Sequence, residues 1–309
     1  MTTLLVTHNA CSAHDMGEGH PERPERLRAV DQALEHEMFQ MLLRDNAPRA
    51  PIEALTKVHP AEYVAAIERA SPSQGHVRLD SDTSMSPGTF EAALRAAGGA
   101  LFAVDEVASG RVDNAFVATR PPGHHAEKAT PMGFCFFNNA AVAARHAQAA
   151  HGYERVAICD FDVHHGNGTQ DIFWDDPTVL YASTHQMPLY PGTGARKETG
   201  AHNQIVNAPL RAGDGGEAFR EAFTQAILPR LDDFRPDLVI VSAGFDAHYR
   251  DPLGNLNLDE VDFAWATQRL MDIAQRRCGG RLVSLLEGGY DLEGLGRSVA
   301  AHVGALMGG

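Results

Sequence analysis

Short runs of β-branched and aliphatic residues alternate along the chain with longer stretches in which apolar residues recur every three or four positions. That grammar predicts an α/β fold. The short runs predict strands at residues 4–7, 115–118, 156–159, 179–182, 238–242 and 282–285. Several are apolar at consecutive positions, as parallel strands buried on both faces require. The helical period predicts helices over PERLRAVDQALEH, PAEYVAAIERA, TFEAALRAAGGALFAVDEVASG, NNAAVAARHAQAAHG, EAFREAFTQAILPRL and EVDFAWATQRLMDIAQRRCGG, with Gly152 and the Gly279/Gly280 pair as stops. No fixed-period repeat and no low-complexity linker divides the chain, so one domain is expected over residues 1–309.

Composition narrows the functional classes. With 44% hydrophobic residues the chain can bury a large core without covalent staples. A formal charge of −14 opposes a general nucleic-acid or anionic-membrane surface, because like-signed fields repel phosphates and acidic headgroups. The four cysteines, Cys11, Cys135, Cys159 and Cys278, form no C-x-x-C pair and read as free thiols of a reducing compartment. The start MTTLLVTHNA has no basic segment ahead of a long apolar stretch, and no apolar run reaches a membrane span. A cytoplasmic location is expected. The oligomeric state is open, and a homo-oligomer is compatible with the chain.

Chemistry gathers at particular strand ends. The segments after the strands at 115–118, 156–159, 238–242 and 282–285 are crowded with His, Asp, Gly and Tyr, whereas helix-to-strand connections are plain. Ligands bind outside the carboxyl ends of parallel strands, so the four loaded ends predict one shared pocket. In DFDVHHGNG, side chains at alternate positions of an extended backbone share a face, which sets Asp160, Asp162 and His164 in a row. A second strand end, LVIVSAGFDAH, offers Asp246. Two carboxylates and one imidazole make a three-ligand site with open positions, the arrangement of a catalytic metal. Zn²⁺ is the first candidate from ligand type, and Fe²⁺ is also compatible. A plainer alternative is that these residues cap the helices that follow.

In ATRPPGHHAEKATPMGFCFFNN, His124 and His125 follow a Pro-Pro-Gly turn. Adjacent histidines can divide labour, one moving a proton and the other, held by a carboxylate, supplying charge. LLEGGYD ends another strand, and its glycines let Tyr290 project over the pocket, where a phenol can donate a hydrogen bond to a developing oxyanion. In isolation the motif favours a packed tyrosine with a polar tip over this role.

Together these segments resemble the histone deacetylase family, in its class II-like and bacterial amidohydrolase branch. The resemblance runs through GEGHPERPERL, RPPGHHA, GFCFFNN, DFDVHHGNGTQ, YPGTG, AGFDAH and LEGGYDL in the family's order. It implies the arginase/deacetylase α/β fold, with a central, mostly parallel eight-stranded sheet and helices on both faces. It also implies zinc ligands at Asp162, His164 and Asp246, and a carbonyl-polarising Tyr290. His125 takes the general base and acid position, His124 that of its partner, paired with Asp160.

A structural potassium ion is implied at Asp160, Asp162, His164, Ser183 and Thr184. Gly133 and Phe134 resemble one wall of the tunnel for the acyl-lysine stem, with Tyr190 near the other. Arg26 matches the arginine of an internal acetate-release cavity. Asp82, in a segment expected to contribute a rim loop, matches either a contact to the substrate backbone or a surface turn.

The resemblance also has departures. Asn167 stands where class I enzymes place an aspartate beside the second histidine, which leaves the resting protonation of His125 open. Leu253 stands where polyamine-preferring relatives carry an acidic gatekeeper, which favours acyl-lysine or another amide over an acetylpolyamine. The implied activity is hydrolysis of an acylated lysine or acylated amine. Two rivals are a two-metal ureohydrolase on the same fold and an inactive acyl-lysine binding module.

Overall fold

The six apolar runs become the six inner strands of one parallel sheet in a computed structural model of the chain, which describes residues 1–308; Gly309, the last residue of the expected domain, lies outside them. The strands are β1 (Thr3–Thr7), β2 (Leu43–Asn46), β3 (Val77–Arg78), β4 (Ser84–Met85), β5 (Asn114–Val117), β6 (Val156–Asp160), β7 (Val179–Gln186), β8 (Ile205–Leu210), β9 (Leu238–Ala243) and β10 (Leu282–Leu286). The main sheet has eight strands in the order β2-β1-β5-β10-β9-β6-β7-β8, and every neighbouring pair is parallel. β3 and β4 form a separate antiparallel hairpin.

The two strands that periodicity did not predict are the two edges. β2 reads LRDN and is exposed throughout. Charged residues on a short edge discourage pairing with another chain, and they also erase the apolar signal of a strand. β8 contains Pro209, which cannot donate to a ladder and is tolerated at an edge.

The helices are α1 (Glu25–Ala33), α2 (Ile52–Leu55), α3 (Ala61–Ala70), α4 (Thr89–Ala108), α5 (Asn139–His151), α6 (Asn167–Phe173), α7 (Gly216–Ala222), α8 (Leu228–Phe234), α9 (Glu260–Cys278) and α10 (Leu292–Leu306). They cover both faces. Leu5, Phe116, Ala157 and Val239 send side chains into a core shared with α1, α7, α8, α9 and α10. Their neighbours Leu4, Ala115, Ile158 and Ile240 point the other way, against α4 and α5. The period of two along each strand thus divides the core between two layers.

α5 and α9 are capped at both ends, and their stops at Gly152 and Gly279 fall where the sequence placed them. Asn138 caps α5, Gly152 ends it with φ of 67°, and Asp259 with Asp262 forms a capping box on α9. The helix expected over EAFREAFTQAILPRL is continuous in path but passes through a π-turn at Phe223–Ile227 before Pro229. A proline inside a helix removes a donor and crowds the preceding turn, and a widened turn accommodates it. All four cysteines are free and buried. No helix among the described residues is long and apolar enough to cross a membrane.

Candidate active site and metal centre

The four strands with loaded ends, β5, β10, β9 and β6, are consecutive neighbours in the sheet, which brings their C-terminal segments together. β6 stops at Asp160, so the ladder does not carry Asp162 and His164 as the alternation argument supposed. The alternation of side chains nevertheless persists: Phe161 and Val163 enter the core, while Asp162 and His164 face the site.

Asp162, His164 and Asp246 present one ligand atom each, all within 4.8 Å of one another, and all three residues are buried. His164 Nδ1 lies 3.1 Å from Asp162 Oδ1 and 3.1 Å from Asp246 Oδ2. Backbone amides fix the carboxylates from behind. Gly288 N–H donates to Asp162 Oδ2 at 2.8 Å, His164 N–H to Asp162 Oδ1 at 2.9 Å and Val163 N–H to Asp246 Oδ1 at 2.8 Å. Gly288 is required by close approach, since a Cβ there would stand 2.2 Å from Asp246 Oδ2 and 2.6 Å from Asp162 Oδ2.

Asp160, first of the expected row, leaves the cluster. Its Oδ2 accepts from His124 Nδ1 at 3.0 Å and from the Tyr181 hydroxyl at 2.9 Å, and its Oδ1 from Asp162 N–H at 3.1 Å. Two carboxylates packed this closely repel. Burial and the Asp162 charge push Asp246 up to about 7. Burial disfavours an imidazolium at His164, but its hydrogen bonds to Asp162 and Asp246 outweigh burial and raise it to about 10. Buried like charges around an imidazole are relieved by a cation, and two oxygens plus one nitrogen suit a divalent transition metal. The residues therefore fit the ion that the sequence implies.

The paired histidines face different partners. Their rings lie 4.0 Å apart. For His124, burial is outweighed by the charges of Asp162 and Asp160, which hold the imidazole well above its ordinary pKa. For His125, burial together with the charges of His124 and His164 pushes the pKa well below.

Asn167 settles the tautomer. Its Nδ2 donates to Glu127 Oε1 at 2.8 Å, so its Oδ1 faces His125 Nδ1 at 2.8 Å and can only accept. The proton sits on Nδ1, and Nε2 carries the free lone pair.

A cavity of ≈ 220 Å³ opens onto these groups, lined by His125, His164 and Tyr290 at the polar end and by Phe134, Leu189, Tyr190 and Leu253 along its apolar walls. Gly133 and Asp82 also line it. Gly133 has φ of 56°, and a Cβ there would fall 2.3 Å from the His125 ring. Phe134 follows with φ of 71°, a strained setting for a bulky residue, and stands edge-on to Tyr290 at 5.8 Å. Tyr190 stands edge-on to His125 at 5.2 Å. Asp82, at the tip of the β3–β4 hairpin, is placed at the cavity and not on a remote turn.

Arg26 does not line this cavity. It is fully buried, donates to the Gly289 and Glu287 carbonyls and to Glu22, and lies 4.9 Å from the centre of the Tyr290 ring. Burial raises the Tyr290 phenol well above its ordinary pKa although Arg26 opposes this, so the hydroxyl keeps its proton.

Periodicity missed several groups that set this geometry. Glu287 accepts from the amides of Gly123 and His124 at 2.7 and 3.2 Å and from Ser242 Oγ at 3.0 Å, and burial pushes it up to about 7. Asp251 accepts from the amides of Tyr290 at 2.6 Å, Asp291 at 3.2 Å and Leu253 at 3.0 Å, knotting two cavity loops together. Glu287, directly after the apolar run LVSLL and before two glycines, was the available signal for the first, whereas Asp251, between Arg250 and Pro252 in a polar loop, carried none.

Comparison with known proteins agrees with this geometry. The profile of the histone deacetylase domain matches residues 20–306. A probable deacetylase of Archaeoglobus fulgidus is 41% identical over 300 residues, covering 95% of this chain and 83% of that protein. A histone deacetylase-like amidohydrolase of Pseudomonas aeruginosa is 42% identical over 277 residues, covering 88% and 73% respectively. The crystal structure of the HDA15 HD domain superposes with a TM-score of 0.94 at 40% identity, over 99% of this chain and 88% of that one. The chain belongs to the histone deacetylase family.

Proposed function

We propose that this protein is a metal-dependent amidohydrolase that cleaves the amide of an acylated lysine or a related acylated amine. The observation that carries the reading is the convergence of Asp162, His164 and Asp246 beside a narrow apolar cavity that also exposes His125 and Tyr290. Zn²⁺ is the occupant this donor set favours, and Fe²⁺ accepts the same set. When bound, the ion would supply Lewis acidity to the acyl carbonyl and acidify the attacking water.

The remaining work falls to side chains. Tyr290, protonated and buried, donates to the carbonyl oxygen as negative charge develops there. His125, neutral with Nε2 free, takes the proton from the attacking water and delivers it to the departing amine nitrogen. His124, charged against Asp160, stabilises the negative charge passing through the site. The products are a carboxylate and a free amine. Phe134 and Tyr190 flank the stem of the substrate, and Asp82 offers an acceptor at the rim.

Leu253 makes this part of the wall apolar, which suits an uncharged stem better than a second ammonium of a polyamine. The structural K⁺ site is proposed at Asp160, Asp162, His164, Ser183 and Thr184. Supporting it, Asp160 pairs in register with Ser183, and among the described residues the buried Thr184 hydroxyl has no hydrogen-bond partner. Arg26 is proposed at an internal acetate-release cavity, where its guanidinium, 4.9 Å from the centre of the Tyr290 ring, also supports Tyr290 from behind.

The zinc-loaded protein should be assayed against acetyl-lysine peptides, longer acyl-lysine peptides, acetylpolyamines and small amides. Hydrolysis is expected to be fastest on an acyl-lysine peptide and to disappear on chelation. No turnover of any amide by the loaded protein would refute the reading, and a preference for acetylpolyamine would refute the role given to Leu253.

A further inference from the structure

A second group of metal-binding side chains lies away from the cavity, on the two helices that pack against the other layer of the core. Asp105 of α4 and His146 and His151 of α5 each present a ligand atom, all within 4.8 Å of one another. Both imidazoles aim the same nitrogen at the same oxygen: His146 Nε2 and His151 Nε2 each stand 2.7 Å from Asp105 Oδ1. The side chains are 22%, 25% and 43% exposed for His146, His151 and Asp105, so an ion can reach them from solvent.

We propose that Asp105, His146 and His151 form a second, structural site for a Zn²⁺-type ion that staples α4 to α5. Two imidazoles and one carboxylate select a borderline transition metal over Mg²⁺ or Ca²⁺, which prefer all-oxygen shells. Metal–ligand bonds of ~2.0–2.2 Å in a tetrahedron set donor atoms roughly 3.3 Å apart, so Asp105 has to withdraw by about half an ångström. That is a small side-chain rotation for a partly exposed residue.

The electrostatics also favour a cation. His151 is the last residue of α5, where the helix carbonyls present partial negative charge, and the chain carries a net charge of −14. Sequence supplies the positions through the way α5 ends. Gly152 in the left-handed region stops the helix one residue after His151, which lets that side chain turn toward His146 although the two are five residues apart.

The site belongs to a different part of the fold from the catalytic one. The first turn of α5 abuts the histidine loop, where Asn139 Nδ2 donates to the Pro121 carbonyl, while the twelve-residue rise to His151 spans ~18 Å. The ion therefore contributes to stability and takes no part in turnover.

The test is equilibrium dialysis of the full-length protein against micromolar free Zn²⁺, with zinc counted per chain. The wild type should hold a second equivalent. Replacing Asp246→Asn should remove the catalytic equivalent and leave the distal one, whereas His146→Gln with His151→Gln should do the reverse and leave hydrolysis unchanged. Asp105→Asn should weaken the distal ion by at least ~10-fold, the loss that removing even an outer partner of a ligand produces. A thermal midpoint that rises with zinc in the Asp246→Asn protein, and no longer rises when the two histidine changes are added to that protein, is also expected.

Binding of a single equivalent by the wild type, or a distal equivalent that survives the double histidine change, would overturn the proposal. If the double variant does not fold, the Asp246→Asn protein decides alone. Loaded with Co²⁺, it should show the intense visible bands of a tetrahedral ion, and their absence counts against the site.

Discussion

The two Asp/His groups of this molecule use the same donor types and differ in nearly everything around them. Asp162, His164 and Asp246 are buried, their carboxylates are held by three backbone amides, and an apolar cavity opens beside them. Asp105, His146 and His151 sit half-exposed between two helices, and among the described residues Asp105 Oδ1 is held by the two imidazoles alone. Charges in the first group act through a low-dielectric medium, and charges in the second are screened by water. Residue type thus decides which ion can bind, while burial and the supporting shell decide whether that ion can do chemistry.

The comparison is broken most severely by removing the buried ligand Asp246. Asp246→Asn is expected to lower kcat/KM by ~10³-fold or more, since the several kcal/mol a bound ion supplies convert at tenfold per ~1.4 kcal/mol. Metal analysis alongside the assay checks that the loss follows the ion. Next, Tyr290→Phe should reduce kcat by ~10²–10³-fold with a stability change under ~1 kcal/mol, as expected for one oxyanion donor. Full activity in that variant would remove Tyr290 from the mechanism.

A finer probe is the pH profile. In the proposed mechanism His125 acts as a base only when neutral, and its lowered pKa keeps it neutral as pH falls through the ordinary histidine range. Asn167→Asp places a carboxylate beside its Nδ1, favours the imidazolium and should move the acidic limb of kcat/KM upward by ~1 unit or more. An unmoved limb would show that another group controls it. The smallest expected effect concerns the support of the histidine turn. Glu287→Ala leaves the Gly123 and His124 amides without their acceptor and should cost ~1–3 kcal/mol, measured by denaturant unfolding. Glu287→Gln keeps an acceptor and should recover most of that loss.

Legibility in the sequence followed burial. The six inner strands were readable because strands covered on both faces must be apolar at successive positions, as in LVIVSA of β9. The edge strands LRDN and IVNAPL carry charge or proline because they border solvent, and the pattern is lost for the same reason. In the site, the positions of His124, His125, Asp162, His164, Asp246 and Tyr290 were indicated by polar residues crowded at apolar strand ends. Alternation alone grouped Asp160 with them while the resemblance paired it with His124, as the structure shows; its second partner, Tyr181, depends on where β6 stops.

By itself, the order of residues determined the layer architecture, the strand ends that carry chemistry and the donor types available there, since these follow from local period and side-chain identity. Only the folded arrangement decided which carboxylates meet which imidazoles, which nitrogen of His125 is free and which charged groups, such as Arg26, Glu287 and Asp251, support the site from behind. Those outcomes depend on distances of a few ångströms between segments as far apart as 126 positions, as Gly288 is from Asp162. Hydrogen bonding and pKa shifts are steep functions of such distances, and no local pattern encodes them.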